Sequence, residues 1–107
     1  PLVLLLEEIV LVFFQPVKEV LTIYNSNLKT IDHNNYVVGD LLYQSNYSSG
    51  LRVLNIKNVH QPIELAFFDT YLSGNRVSFV GSWSNYPYFS SGTLLVSSIE
   101  EGLYILK

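Results

Sequence analysis

The stretch Thr30–Ile56, TIDHNNYVVGDLLYQSNYSSGLRVLNI, decides the fold. Its aromatic and aliphatic residues fall into three short runs, Asn35–Val38, Leu41–Asn46 and Leu51–Ile56. Gly39-Asp40 separates the first pair and Ser48-Ser49-Gly50 the second. Branched and aromatic side chains suit a pleated, half-buried surface, and glycine enters the positive-φ region of a tight turn without a Cβ clash. The stretch therefore reads as three antiparallel strands joined by two turns. Ahead of them stands Asp32-His33-Asn34-Asn35, a cluster with two meanings. An aspartate can orient an imidazole for general-base or metal-ligand work. The same residues can equally satisfy the backbone of a strand-to-strand corner.

Outward from this stretch the pattern continues. Apolar runs at Ile9–Phe14, Val17–Tyr24, Ile63–Thr70, Val77–Phe79, Thr93–Ser97 and Gly102–Leu106 read as further strands. Ser73-Gly74-Asn75, Ser90-Ser91-Gly92 and Glu100-Glu101-Gly102 read as turns between them. No long window keeps a helical period, although a buried strand and a buried helix turn look alike over Pro1–Phe14. The chain also repeats itself. Asn35-Tyr36 matches Asn85-Tyr86, Gly39 matches Gly92, Leu41-Leu42 matches Leu94-Leu95, and Gly50-Leu51 matches Gly102-Leu103. Val53-Leu54 matches Ile105-Leu106, and Gln15-Pro16-Val17 matches Gln61-Pro62-Ile63. The second copy carries an insertion around TYLSGNRVSFVGSW. One unit thus recurs, with four short antiparallel strands in roughly 45 to 50 residues, the size of a propeller blade. The expectation is a single all-β unit over residues 1–107, divided at about 1–56 and 57–107. Its fold class is antiparallel four-stranded propeller-blade repeats, about two blades of an incomplete β-propeller.

Composition narrows the function. Six basic and nine acidic residues give a net charge of −3, and no lysine or arginine is clustered. Nucleic acid is excluded as a partner, because phosphate neutralisation needs basic patches. With no cysteine, disulfides and thiolate metal sites are impossible. The run PLVLLLEEIVLVFF is interrupted by Glu7-Glu8 and falls short of the roughly 20 apolar residues of a transmembrane helix. It also lacks the basic start and the small-residue cleavage site of a signal peptide.

Two groups of side chains are candidate binding residues. Asp32, His33 and Asn34 form the polar group, while Trp83, Tyr86 and Tyr88 form an aromatic one within the loop-rich SWSNYPYFSSG. Aromatic faces stack on sugars and peptides, and the same rings equally fill gaps between packed sheets. The internal alignment places Trp83 near His33, so the repeat tolerates an aromatic there. No catalytic residue, metal site or cofactor is assigned. The pairs Glu7-Glu8 and Glu100-Glu101 are adjacent in sequence, so in strands they would point to opposite faces. Glu100-Glu101-Gly102 is a hairpin turn by this reading. The sequon Asn46-Tyr47-Ser48 lies beside a strand end and is expected to be exposed.

IDHNNYVVGDLLYQSNYSSGLRVLNI, PIELAFFDTY and GSWSNYPYFSSGTLLVSSIEEGLYILK together resemble the LVIVD-repeat β-propellers, in particular the choice-of-anchor B family. The resemblance runs nearly continuously over residues 28–107 and more loosely over Gln15–Tyr24. Residues 1–14 depart from it, and Asn55 stands where the family commonly has Asp. The resemblance implies a C-terminal fragment of an extracellular or cell-surface propeller without established catalytic residues. Its partners would be the remaining blades of the same ring and a protein or glycan ligand, with self-association through open sheet edges as a further expectation. The alternative is a propeller hydrolase or lyase whose catalytic residues lie mostly outside this chain, with His33 as one contributor.

Overall fold

A computed structural model describes residues 19–107, which form seven strands and no helix. They are β1 Asn34–Val38, β2 Leu41–Ser45, β3 Leu51–Asn55, β4 Ile63–Phe68, β5 Ser82–Tyr86, β6 Leu94–Ser98 and β7 Gly102–Leu106. The first sheet has the order β1-β2-β3-β4 and the second β5-β6-β7, so each strand pairs with its neighbour in sequence. All pairs are antiparallel. The turns sit where glycine permits them, with Gly39 at φ 57° between β1 and β2.

Alternation along the strands sorts the side chains into faces. In the first sheet Tyr36, Tyr43, Val53 and Ala66 lie level across the four strands. That face turns toward the second sheet, where Asn85, Val96 and Tyr104 form the matching row. Phe68 and Tyr104 meet across the gap, ring centres 5.0 Å apart. Register slips at two bulges, one between Val53 and Leu54 and one between Ser82 and Ser84.

The sheets are joined by a clamp rather than by a shared strand. Tyr47 and Ser82 exchange two backbone hydrogen bonds of 2.8 and 2.9 Å. Tyr47 adopts φ 44° to do so, in the left-handed region. Gly81 lies so close above that a Cβ there would stand 2.3 Å from the Tyr47 carbonyl oxygen. Gly50 is packed equally tightly, with a Cβ position 2.1 Å from the Phe68 carbonyl oxygen. The whole run Gln44–Leu51 is buried in consequence. Tyr47, Leu51, Leu54 and Val96 are the buried hydrophobic residues among those described, beside nine buried polar ones. Burial of one such side chain contributes about 1.5–3 kcal/mol, so this is a small core against the entropy of ordering the chain.

Several expectations change. Glu19–Tyr24 is not a strand, and Ile9–Phe14 with Val17 and Lys18 lies outside the described residues. Val77–Phe79 is a bend rather than a strand. There Ser48 Oγ donates to the Arg76 carbonyl at 2.7 Å and accepts from Arg76 N at 2.9 Å, which ties the segment to the clamp instead of to a ladder. Within the loop-rich SWSNYPYFSSG, Ser82–Tyr86 is a strand, and Asn85-Tyr86 ends it rather than opening one. Its alternation is hidden by the bulged Trp83 and by three polar residues that face a buried seam. The Gln61-Pro62 strand β4 closes the first sheet rather than opening the second.

The sequon is also corrected. Asn46 is fully buried, and its amide nitrogen donates to Gln44 Oε1 at 2.7 Å. Thr30 Oγ1 donates to the Asn46 carbonyl from the other side. A side chain so enclosed offers no acceptor for a glycan in the folded chain.

Candidate recognition surface

The strands β1 and β5 lie side by side where the two sheets meet, and all six candidate residues fall on or beside them. At one end His33 Nδ1 is 2.7 Å from the Trp83 carbonyl oxygen. A carbonyl only accepts, so Nδ1 is the donor in this contact. The imidazole also packs on Tyr47 at 4.8 Å. One residue along, Asn34 Nδ2 donates to Ser84 Oγ at 3.1 Å. Asp32 is exposed, and His33 Nδ1 is engaged by the Trp83 carbonyl. This end therefore joins strands. The sequence held a signal for it, since the repeat alignment sets Trp83 near His33, and stacked repeats bring equivalent positions together.

The aromatic group stands at the other end. Tyr36 meets Tyr88 at 5.8 Å, Tyr88 meets Tyr86 at 5.4 Å and Tyr86 meets Phe89 at 5.1 Å, each edge to face. Such pairs hold the rings by their quadrupoles and fix which faces remain open. Tyr86, Tyr88 and Phe89 are 47%, 48% and 46% exposed, so each presents about half its surface to solvent while its neighbours orient it. Trp83 is likewise exposed, on the His33 side. The spacing of Tyr36 and Tyr86 gave the repeat, whereas the contact formed is between Tyr36 and Tyr88.

Phe89 also borders an apolar cleft of about 540 Å³ between the sheets, lined further by Val38, Tyr43, Phe68, Leu94 and Leu106. Beside Tyr36 and Tyr86 runs a shallower groove of about 290 Å³ with Ser84, Leu95 and Ser97 in its floor. Phe89 thus borders the cleft while Tyr36 and Tyr86 border the groove, so the chain of rings touches both.

The seam beneath is polar. Asn85 Nδ2 donates to Ser45 Oγ at 2.9 Å and to the Tyr43 carbonyl at 3.3 Å. Asn85 Oδ1, Ser82 Oγ and Ser98 Oγ are buried without a protein partner. On the far side of the first sheet Arg52 pairs with Glu64 at 3.1 Å and lies over the Phe67 ring at 4.7 Å. Burial, and then the Glu64 carboxylate, push the Tyr24 hydroxyl above its ordinary pKa of 10.0. Among the described residues no group of three or more His, Asp or Glu is placed to hold a metal ion.

Comparison with known proteins returned nothing similar: no family model, no curated protein and no solved structure matches the chain.

Proposed function

We propose that the two sheets are successive blades of a propeller-type scaffold, displayed outside the cell, and that their junction is a non-catalytic recognition surface for a protein or carbohydrate. The observation that carries this reading is the chain of edge-to-face contacts from Tyr36 through Tyr88 and Tyr86 to Phe89, which holds three half-exposed rings in fixed orientation. Rings held in advance lose little entropy when a flat ligand stacks on them. The adjoining cleft of about 540 Å³ lies within the range of about 300–1,000 Å³ usual for small-ligand sites. A binding role rather than an enzymatic one is supported at the other end, where His33 is engaged with Trp83 and Tyr47.

Fluorescence of Trp83, the only tryptophan, reports on binding. Titration with a panel of neutral oligosaccharides and of extended peptides should give one saturable response. Tyr86→Ala and Tyr88→Ala should each weaken it about tenfold, a loss of about 1.4 kcal/mol, with the near-ultraviolet dichroism otherwise preserved. A response indifferent to both variants, or no response from any compound, would discard the site.

A further inference from the structure

A separate cavity of about 480 Å³ lies where the run after β4 meets the β6–β7 hairpin. Asp69, Thr70 and Tyr71 line it from the first segment, and Glu100, Glu101 and Tyr104 from the second. It shares no lining residue with the cleft or the groove beside the rings, so it goes beyond the reading proposed above. Consecutive side chains of a turn, unlike those of a strand, can reach one side, and Glu100 and Glu101 both do so here. Three carboxylates line the cavity, and no lysine or arginine does.

Acidic side chains on a turn do not by themselves make a site, and the second observation is Thr70. It is the one buried residue of the lining, 4% exposed, and its Oγ1 has no hydrogen-bond partner. A Cβ on Gly81 would stand 3.2 Å from that oxygen, and the Gly81 N–H donates to Glu100 Oε2 at 2.8 Å. Hydroxyl and carboxylate therefore flank the same residue, and Gly81 takes only one of the two Glu100 oxygens. Asp69 is fixed in the same manner, its Oδ1 accepting from the Tyr71 N–H at 2.9 Å. Buried hydroxyls are nearly always bonded, so an unpaired one beside oriented carboxylates calls for a donor.

The chain itself shows which donor suits such a setting. Arg52 meets the Glu64 carboxylate and the Phe67 ring, and Arg76 lies 5.2 Å over the Tyr71 ring while donating to the Ser73 carbonyl. A guanidinium offers a planar fork to oxygen acceptors and a flat face to an aromatic ring. Arg76 already covers Tyr71, which leaves Tyr104, held edge to face by Phe68 at 5.0 Å, as the ring for a further cation. We infer that this cavity takes an arginine side chain of a protein partner, its N–H groups on Glu100, Thr70 and Asp69 and its stem against Tyr104.

The Gly81 and Tyr71 amides, bonded to Glu100 and Asp69, are built-in reporters. In amide correlation spectra of the full chain, capped glycyl-arginyl-glycine should shift both saturably. The citrulline counterpart keeps the shape without the charge and should shift neither. The lysyl counterpart lacks the fork and should bind about threefold more weakly. Glu100→Gln and Asp69→Asn keep the oxygens that hold Gly81 and Tyr71 but remove the charge, and each should weaken binding about threefold. Thr70→Val removes the unpaired hydroxyl at nearly constant shape, so it should weaken binding without lowering the urea midpoint, a split that a merely structural threonine would not give. No saturable shift, an equal response to the citrulline or the lysyl peptide, or binding indifferent to all three substitutions would overturn the inference.

Discussion

The two sheets begin from nearly the same sequence and bury different residues. Leu41-Leu42 opens β2 as Leu94-Leu95 opens β6, and Gly50-Leu51 resembles Gly102-Leu103. Leu51 is 2% exposed, while Leu103 is 59% exposed. The connection explains it. Five residues, Asn46–Gly50, join β2 to β3, and three, Ile99–Glu101, join β6 to β7. Gly50 therefore precedes its strand, whereas Gly102 is already paired with Ser98 inside the ladder. The matched leucines sit one register position apart, and a shift of one residue turns a side chain to the opposite face. The longer connection also becomes the best-buried segment of the molecule, because Tyr47 clamps Ser82 and the loop through Arg76 covers Ser48. A hairpin loop carries part of the core in one sheet, and in the other it is an exposed turn.

The sharpest way to break this comparison is at its glycines. Gly81→Ala puts a methyl group against the Tyr47 carbonyl at φ 82° and should cost about 3 kcal/mol or more, seen as a large fall in the urea midpoint. Gly92 has φ 79° but open space around it, so Gly92→Ala should cost only about 1–2 kcal/mol, the left-handed penalty alone. Equal losses at the two sites would mean that the clamp does not join the sheets.

Core substitutions separate the sheets next. Leu54 is fully buried, and Leu54→Ala should lower stability by about 2–5 kcal/mol. Leu103 is 59% exposed, and Leu103→Ala should stay within about 0.5 kcal/mol. A large loss at Leu103 would show that the register assigned to β7 is wrong.

The smallest effect is a pH dependence peculiar to the first sheet. The Tyr24 pKa is raised in the folded chain, chiefly by burial and then by Glu64. A group whose pKa rises on folding holds its proton more firmly when folded. Its contribution is complete below the unfolded value of 10.0 and is lost as pH climbs from there through the folded value. Thermal melts of the wild type should therefore fall more steeply above that pH than melts of Tyr24→Phe. Parallel curves for the two would remove Tyr24 from contact with that face.

Part of the candidate site was legible because repeats stack. The alignment set Trp83 near His33, and the two bond across the sheet junction, as Asn34 and Ser84 do at the same spacing. Of the two meanings open to the Asp32-His33-Asn34-Asn35 cluster, the contacts of His33 and Asn34 with the next sheet favour the corner of the architecture. The strand β5 was obscured by polar residues, which usually signal a loop. Asn85 and Ser82 are polar here because they face a buried seam rather than water.

By itself the sequence determined the all-β class, the positions of six of the seven described strands, the turns at Gly39, Gly50, Gly92 and Gly102, and a repeat-like pattern of antiparallel strands. Those properties depend on local preferences: alternation with period two, branched and aromatic residues in runs, and glycine where φ is positive. Tertiary structure alone decided which leucine of each matched pair is buried, and that the Asn46 sequon is closed. It also decided that Tyr36 reaches Tyr88 and that β4 pairs with β3 in the first sheet rather than opening the second. These depend on loop length, on bulges and on a clamp between residues far apart in the chain, and no local preference records where a distant backbone will press.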